Sequence, residues 1–131
     1  MQACLDITLP YVHQRKQFGI PIAHNQLIQA KLADMHVKCA AARAYTYAAA
    51  KMVDEGEIVS RECAGAIMFA SDRSVECALD AIQCMGGNGY INEIGAGRLL
   101  VGSDDCWARQ VPRIRHGQTF HSKGRQTRYL F

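Results

Sequence analysis

The 131 residues contain no run of 18 uninterrupted apolar positions, so no membrane-spanning helix is expected from them. The opening MQACLDITLP lacks a basic start and a small-residue cleavage site, and it is not Arg-rich, so no targeting segment is expected in this chain. No two of the six cysteines, Cys4, Cys39, Cys63, Cys77, Cys84 and Cys106, form a Cys-x-x-Cys pair, which argues against a zinc ribbon or a dithiol redox site. The histidines His13, His24, His36, His116 and His121 have no metal-ligand spacing, so no metal site is expected. No stretch of residues 1–90 alternates with period two, no internal repeat is visible, and no G-x-G-x-x-G follows a strand. What remains is 49% hydrophobic and 21% charged residues, a globular mixture too apolar for a disordered chain.

Charge is unevenly placed. Residues 1–100 carry 9 Lys+Arg against 10 Asp+Glu, while residues 101–131 carry 6 against 2. The tail is polar and basic, has no sustained period, and holds Pro112, Gly117 and Gly124. It is read as irregular and disordered or loosely attached, a unit distinct from a helical domain over 1–100. Its basic residues form no helical stripe, so no nucleic-acid partner is expected.

The body reads as all-α. Met1, Leu5, Leu9 and Val12 share one helical face, with no capping residue before them, as in a helix continuing from earlier sequence. Pro10 is expected to kink or end this helix. Residues 14–25 read as a loop closed by Asn25 as N-cap. Over 26–54, Ile28, Leu32, Met35, Cys39, Ala42, Thr46, Ala49 and Val53 alternate by four and three, a seam for antiparallel neighbours broken only by Thr46. Gly56 is placed to terminate it. Ser60 is a candidate N-cap for a further helix running to about Met85, with Ala64, Ile67, Ser71, Val75, Ala78, Ile82 and Met85 on its face. Gly86-Gly87-Asn88-Gly89 stops it. The cysteines in these Ala-rich helices read as reduced, buried thiols.

Two polar clusters can carry chemistry. One is Arg15, Phe18, Gly19 and Gln26 around the first loop; the other is Gln83, Gly86 and Gly87 at a helix end. An Arg and Gln together can hold a phosphate and an amide-rich edge, and a Gly-Gly turn lets a backbone approach a ligand closely. Read alone, the second cluster is first of all a plain helix stop.

R-K-Q-F-G at 15–19, H-N-Q-L at 24–27, A-D-M at 33–35 and A-I-Q-C-M-G-G-N-G-Y-I-N-E at 81–93 resemble the C-terminal helical domain of the acyl-CoA dehydrogenases, closest to the isovaleryl-CoA branch. The resemblance implies an incomplete up-down four-helix bundle that contacts FAD, partly the FAD of a neighbouring subunit, and builds a homotetramer. It implies a mitochondrial matrix flavoprotein that oxidises acyl-CoA to enoyl-CoA, here a branched-chain substrate of leucine catabolism, and passes electrons to electron-transferring flavoprotein. In that family a carboxylate takes the α-proton while hydride leaves the β-carbon for the flavin. By residue, the resemblance assigns Arg15 to the FAD pyrophosphate or adenine portion and Gln26 to the same cofactor. It places Phe18 beside the site, and Gln83, Cys84, Met85, Gly86 and Gly87 along the adenosine end. No residue of this chain stands at either position of the family's catalytic base, so no catalytic residue is assigned. Glu93-Ile94-Gly95-Ala96-Gly97 matches a substrate-lining string of the isovaleryl branch, but it lies closer to Tyr90 than there, and no substrate role is given to it. The alternative is a non-catalytic helical assembly module.

Overall fold

The computed structural model describes residues 1–56 and 60–104. Expectations for Cys106, His116, His121 and the tail beyond 104 lie outside the described residues. Helix α1 spans Gln2–Gln14, α2 Gln26–Asp54, α3 Ser60–Met85 and the short α4 Gly87–Tyr90. A further helical segment, α5, covers 96–104. Between α1 and α2 a two-stranded hairpin pairs β1 (Lys16–Gln17) with β2 (Ile20–Pro21), and a 3-10 turn follows at Ile22–His24. The hairpin falls inside the expected loop: two residues per strand are too few to show an alternation.

Cross-helix pairs set the topology. Lys31 meets Asp80, Lys38 meets Glu76, and Tyr45 meets Glu62, so residue numbers fall on α3 as they rise on α2 and the two are antiparallel. Gln2 reaches Arg43 while Tyr11 reaches Met85, which runs α1 against α2 and alongside α3. Segment α5 turns back toward the earlier part of α3, where Asp104 shares a groove with Asp72 and Glu76. The described residues form an up-down-up trio and the start of a fourth helix.

The core is rich in small side chains, alanine and cysteine, around Leu5 and Met35. Cys4, Leu5, Met35, Cys39, Cys77, Ala78 and Ala81 form its central cluster, with Met1, Leu99 and Leu100 packed on its edge. Alanine and cysteine let helix axes come close, which is what the Ala-rich pattern of α2 and α3 is for. All five described cysteines are free thiols, four of them buried. Met35, Cys39, Ala42 and Ala49 of the expected α2 seam are buried, whereas Thr46 and Val53 are exposed.

Three local expectations change. Helix α1 runs past Pro10 to Gln14. Pro10 lies on an exposed face, and the next residues are anchored by fully buried Val12. The missing N–H therefore removes one hydrogen bond without ending the helix. Asn25 sits at the N-cap of α2 but makes no side-chain cap bond. Helix α5 crosses residue 100, where the helical domain was expected to end, because Leu99 and Leu100 have core to cover. Gly56 behaves as expected: φ is +85° and its N–H donates to the Val53 carbonyl at 3.0 Å.

Candidate functional site

The end of α1 and the end of α3 meet at one open cleft of about 370 Å³. One wall is Tyr11 of α1 and Arg15, the C-cap of that helix, continued by Gln17 and Ile22. The other is the run Gln83 to Asn88, where α3 turns into α4. This is a modest volume for a ligand pocket, on the order of 300–1,000 Å³, and it suits part of a long ligand rather than the whole.

The turn is built by glycine. Gly86 has φ +58° and ψ −134°, a conformation that strains any residue with a Cβ. A Cβ added at Gly86 or Gly87 would meet nothing within 4 Å, so the backbone there is bare toward the cleft. Gly89 does a different job. A Cβ there would stand 2.6 Å from the Ile82 carbonyl oxygen, so α4 seats directly on the backbone of α3.

Tyr11 ties the two walls together. Its hydroxyl donates to the Met85 carbonyl at 3.3 Å and accepts from the Asn88 side-chain amide at 2.8 Å. Among the described residues Arg15 is the only ionised side chain lining the cleft, and no carboxylate among them opposes it there. Cys84 is buried, and burial pushes its thiol pKa up, so at neutral pH it adds no negative charge. A positive, amide-rich cleft with a bare glycine backbone selects an anion attached to a hydrogen-bonding group.

Of the residues named from sequence, the fold brings Arg15, Gln83, Cys84, Met85, Gly86 and Gly87 to this cleft. Cys84 and Met85 are 3% exposed, so their side chains belong mainly to the core. Phe18 and Gln26 are not among the lining residues. Phe18, which the resemblance places beside the cofactor, stands fully exposed at φ +53° at the hairpin tip. The turn between β1 and β2 carries it off its own chain. Tyr11, Gln17, Ile22 and Asn88 were missed. Tyr11 stands one helical turn before Arg15, and that spacing was the available signal. Among the described residues no group of His, Cys, Asp or Glu could hold a metal ion, and no helix is long and apolar enough to cross a membrane.

Residues 1–104 match the family described as acyl-CoA dehydrogenase, C-terminal domain. The mitochondrial 2-methylacyl-CoA dehydrogenase of Solanum tuberosum is 57% identical over 100 residues, which are 76% of this chain and 24% of that protein. The mitochondrial isovaleryl-CoA dehydrogenase of Oryza sativa subsp. japonica is 54% identical over the same shares. The chain thus spans about a quarter of the length of these relatives. Among solved structures, butyryl-CoA dehydrogenase from Megasphaera elsdenii superposes with a TM-score of 0.80 at 31% identity, covering 89% of this chain and 32% of that one. The chain belongs to the acyl-CoA dehydrogenase family of FAD-dependent flavoproteins, as a C-terminal helical domain.

Proposed function

We propose that this chain is the cofactor-contacting and assembly domain of an FAD-dependent acyl-CoA dehydrogenase acting on a branched-chain acyl-CoA of the isovaleryl type, in the mitochondrial matrix. The observation that carries the reading is the shared cleft: Arg15 and Gln83, 68 positions apart in sequence, face one groove beside the bare Gly86-Gly87 backbone. Arg15 neutralises a diphosphate. Gln83 supplies one donor and one acceptor to an adenine or ribose edge. Gly86 and Gly87 admit the ligand to backbone distance. A bound FAD would supply hydride acceptance, and Arg15, Gln83, Gly86 and Gly87 would hold and orient its nucleotide end. Phe18 and Gln26 reach the cofactor of a neighbouring subunit, a role supported by a phenylalanine ring left wholly exposed. Leu27, Val37 and Tyr47 leave much of α2 apolar and exposed as well, which supports homo-oligomer assembly. Electron-transferring flavoprotein is the partner of the complete enzyme, not of this cleft.

No residue of this chain is assigned as the catalytic base, and we expect no turnover from the isolated chain, because proton abstraction needs a positioned base. The test is FAD titration of the purified chain by fluorescence, beside a turnover assay with isovaleryl-CoA and an artificial electron acceptor. We expect FAD binding, weakened roughly 10- to 100-fold in Arg15→Gln by loss of a charged hydrogen bond to phosphate, and no turnover. Equal FAD binding by parent and variant, or clear turnover, contradicts the assignment.

A further inference from the structure

We infer that Tyr11 is a positioning residue for the nucleotide: its hydroxyl staples both ends of the Gly86-Gly87 bend to the helix that carries Arg15, fixing the gap that a diphosphate must bridge. This rests on the cofactor reading above. It adds a residue whose atoms act through the bend.

The phenol has one proton to give and lone pairs to receive. It gives the proton to the carbonyl of Met85, the residue before the bend, and receives from the amide of Asn88, the residue after it. The two anchor points therefore bracket Gly86 and Gly87. The same residue holds the opposite wall through its backbone, since the Arg15 N–H donates to the Tyr11 carbonyl at 2.8 Å and closes the last turn of α1. One residue thus references Arg15 and the glycine bend to each other.

The bend needs such a reference. Two adjacent glycines have the widest choice of backbone conformation in any chain. Side-chain packing does not wedge them either, because a Cβ at either position meets nothing within 4 Å. Below the bend, the close seat of Gly89 on Ile82 fixes where α4 sits. Toward Arg15, the Tyr11 hydroxyl fixes the bend. Without it Gly86-Gly87 samples alternatives that the ligand must order on binding, and affinity falls by that ordering.

Tyr11→Phe keeps the ring in place and deletes both hydrogen bonds. The experiment titrates ADP by calorimetry onto the 131-residue chain, Tyr11→Phe and Asn88→Ala, and follows the ligand-free Gly86 and Gly87 amides by NMR hydrogen exchange. A thermal melt accompanies each. We expect ADP affinity about tenfold weaker in Tyr11→Phe, a smaller loss in Asn88→Ala, and faster exchange at both glycines, with cooperative melting retained. A purely structural tyrosine lowers the melting temperature and leaves ADP affinity and glycine exchange alone; that result overturns the inference while the cofactor reading stands. Failure of the parent chain to bind ADP removes both. Should Tyr11→Phe fail to fold, Asn88→Ala decides: unchanged ADP affinity and glycine exchange there overturn the inference.

Discussion

Gly89→Ala is the sharpest structural probe of the cleft because it introduces one methyl at a point with no room. The new Cβ would lie 2.6 Å from the Ile82 carbonyl oxygen and 3.0 Å from the Ile82 Cα, both backbone atoms that cannot rotate away. Relief requires α4 to lift from α3. Overpacking of this kind costs about 1–3 kcal/mol. For a domain of about 100 residues each kcal/mol moves the melting temperature by roughly 4–8 °C, so a fall of about 5–20 °C follows. Gly87→Ala is the internal control. Its Cβ meets nothing within 4 Å, and the residue is the first of α4. Stability there should stay within about 0.5 kcal/mol of the parent, while the added methyl stands at the bare backbone of the cleft and weakens nucleotide binding. Circular dichroism melts of the parent and both variants decide it. If Gly89→Ala melts within 1 °C of the parent, the seating of α4 on the Ile82 carbonyl is wrong, and with it the placement of the glycine bend.

The charged ladder between α2 and α3 gives a pH prediction. Burial works against the Asp80 carboxylate, but hydrogen bonds from Lys31 and Lys38 outweigh it and hold its pKa below the usual range. That stability is present above the unfolded carboxylate value of about 3.9 and is lost as pH falls through the lower folded value. The hydrogen bond to Asp80 raises Lys31. Lys38 is raised by Glu76 and Asp80 against the cost of burial. Their contribution is complete below the unfolded lysine value of about 10.4 and disappears as pH climbs through the raised folded values. Asp80→Asn should cost about 1 kcal/mol at pH 7 by urea titration and flatten both edges of the stability–pH curve. Thiol reactivity follows burial: desolvation pushes Cys77 up to about 11 and raises Cys4 and Cys84. Alkylation mapped by mass spectrometry at pH 8 should therefore modify half-buried Cys63 before these three in the native protein.

Most of the fold was legible because it is helical and periodic. The four-three spacing over 26–54 and the stop at Gly86-Gly87 place α2 and the end of α3 where they stand. The hairpin at Lys16–Pro21 was not legible, since its two pairs of residues are held by turn geometry at Phe18 and Gly19 and not by an apolar face. Helix α5 was hidden for a related reason: its anchors, Leu99 and Leu100, are two residues at one end of a polar stretch. At the cleft, charge and glycine announced Arg15 and Gly86-Gly87, but Tyr11 acts by a hydroxyl whose partners lie 74 and 77 positions away. The one-turn spacing before Arg15 marks Tyr11 as a neighbour of the site, but no local pattern reports its partners on α3 and α4. Phe18 shows the converse, a residue prominent in sequence that its own chain leaves fully exposed.

The proposed function depends on where a flavin nucleotide sits. The most direct measurement is a crystal structure of the chain grown with FAD. We expect the diphosphate within hydrogen-bonding distance of the Arg15 guanidinium, the adenosine end along Gln83 to Gly87, and Phe18 of a second copy covering the same cofactor. A nucleotide bound away from this cleft, with Arg15 and Gln83 untouched, would contradict it.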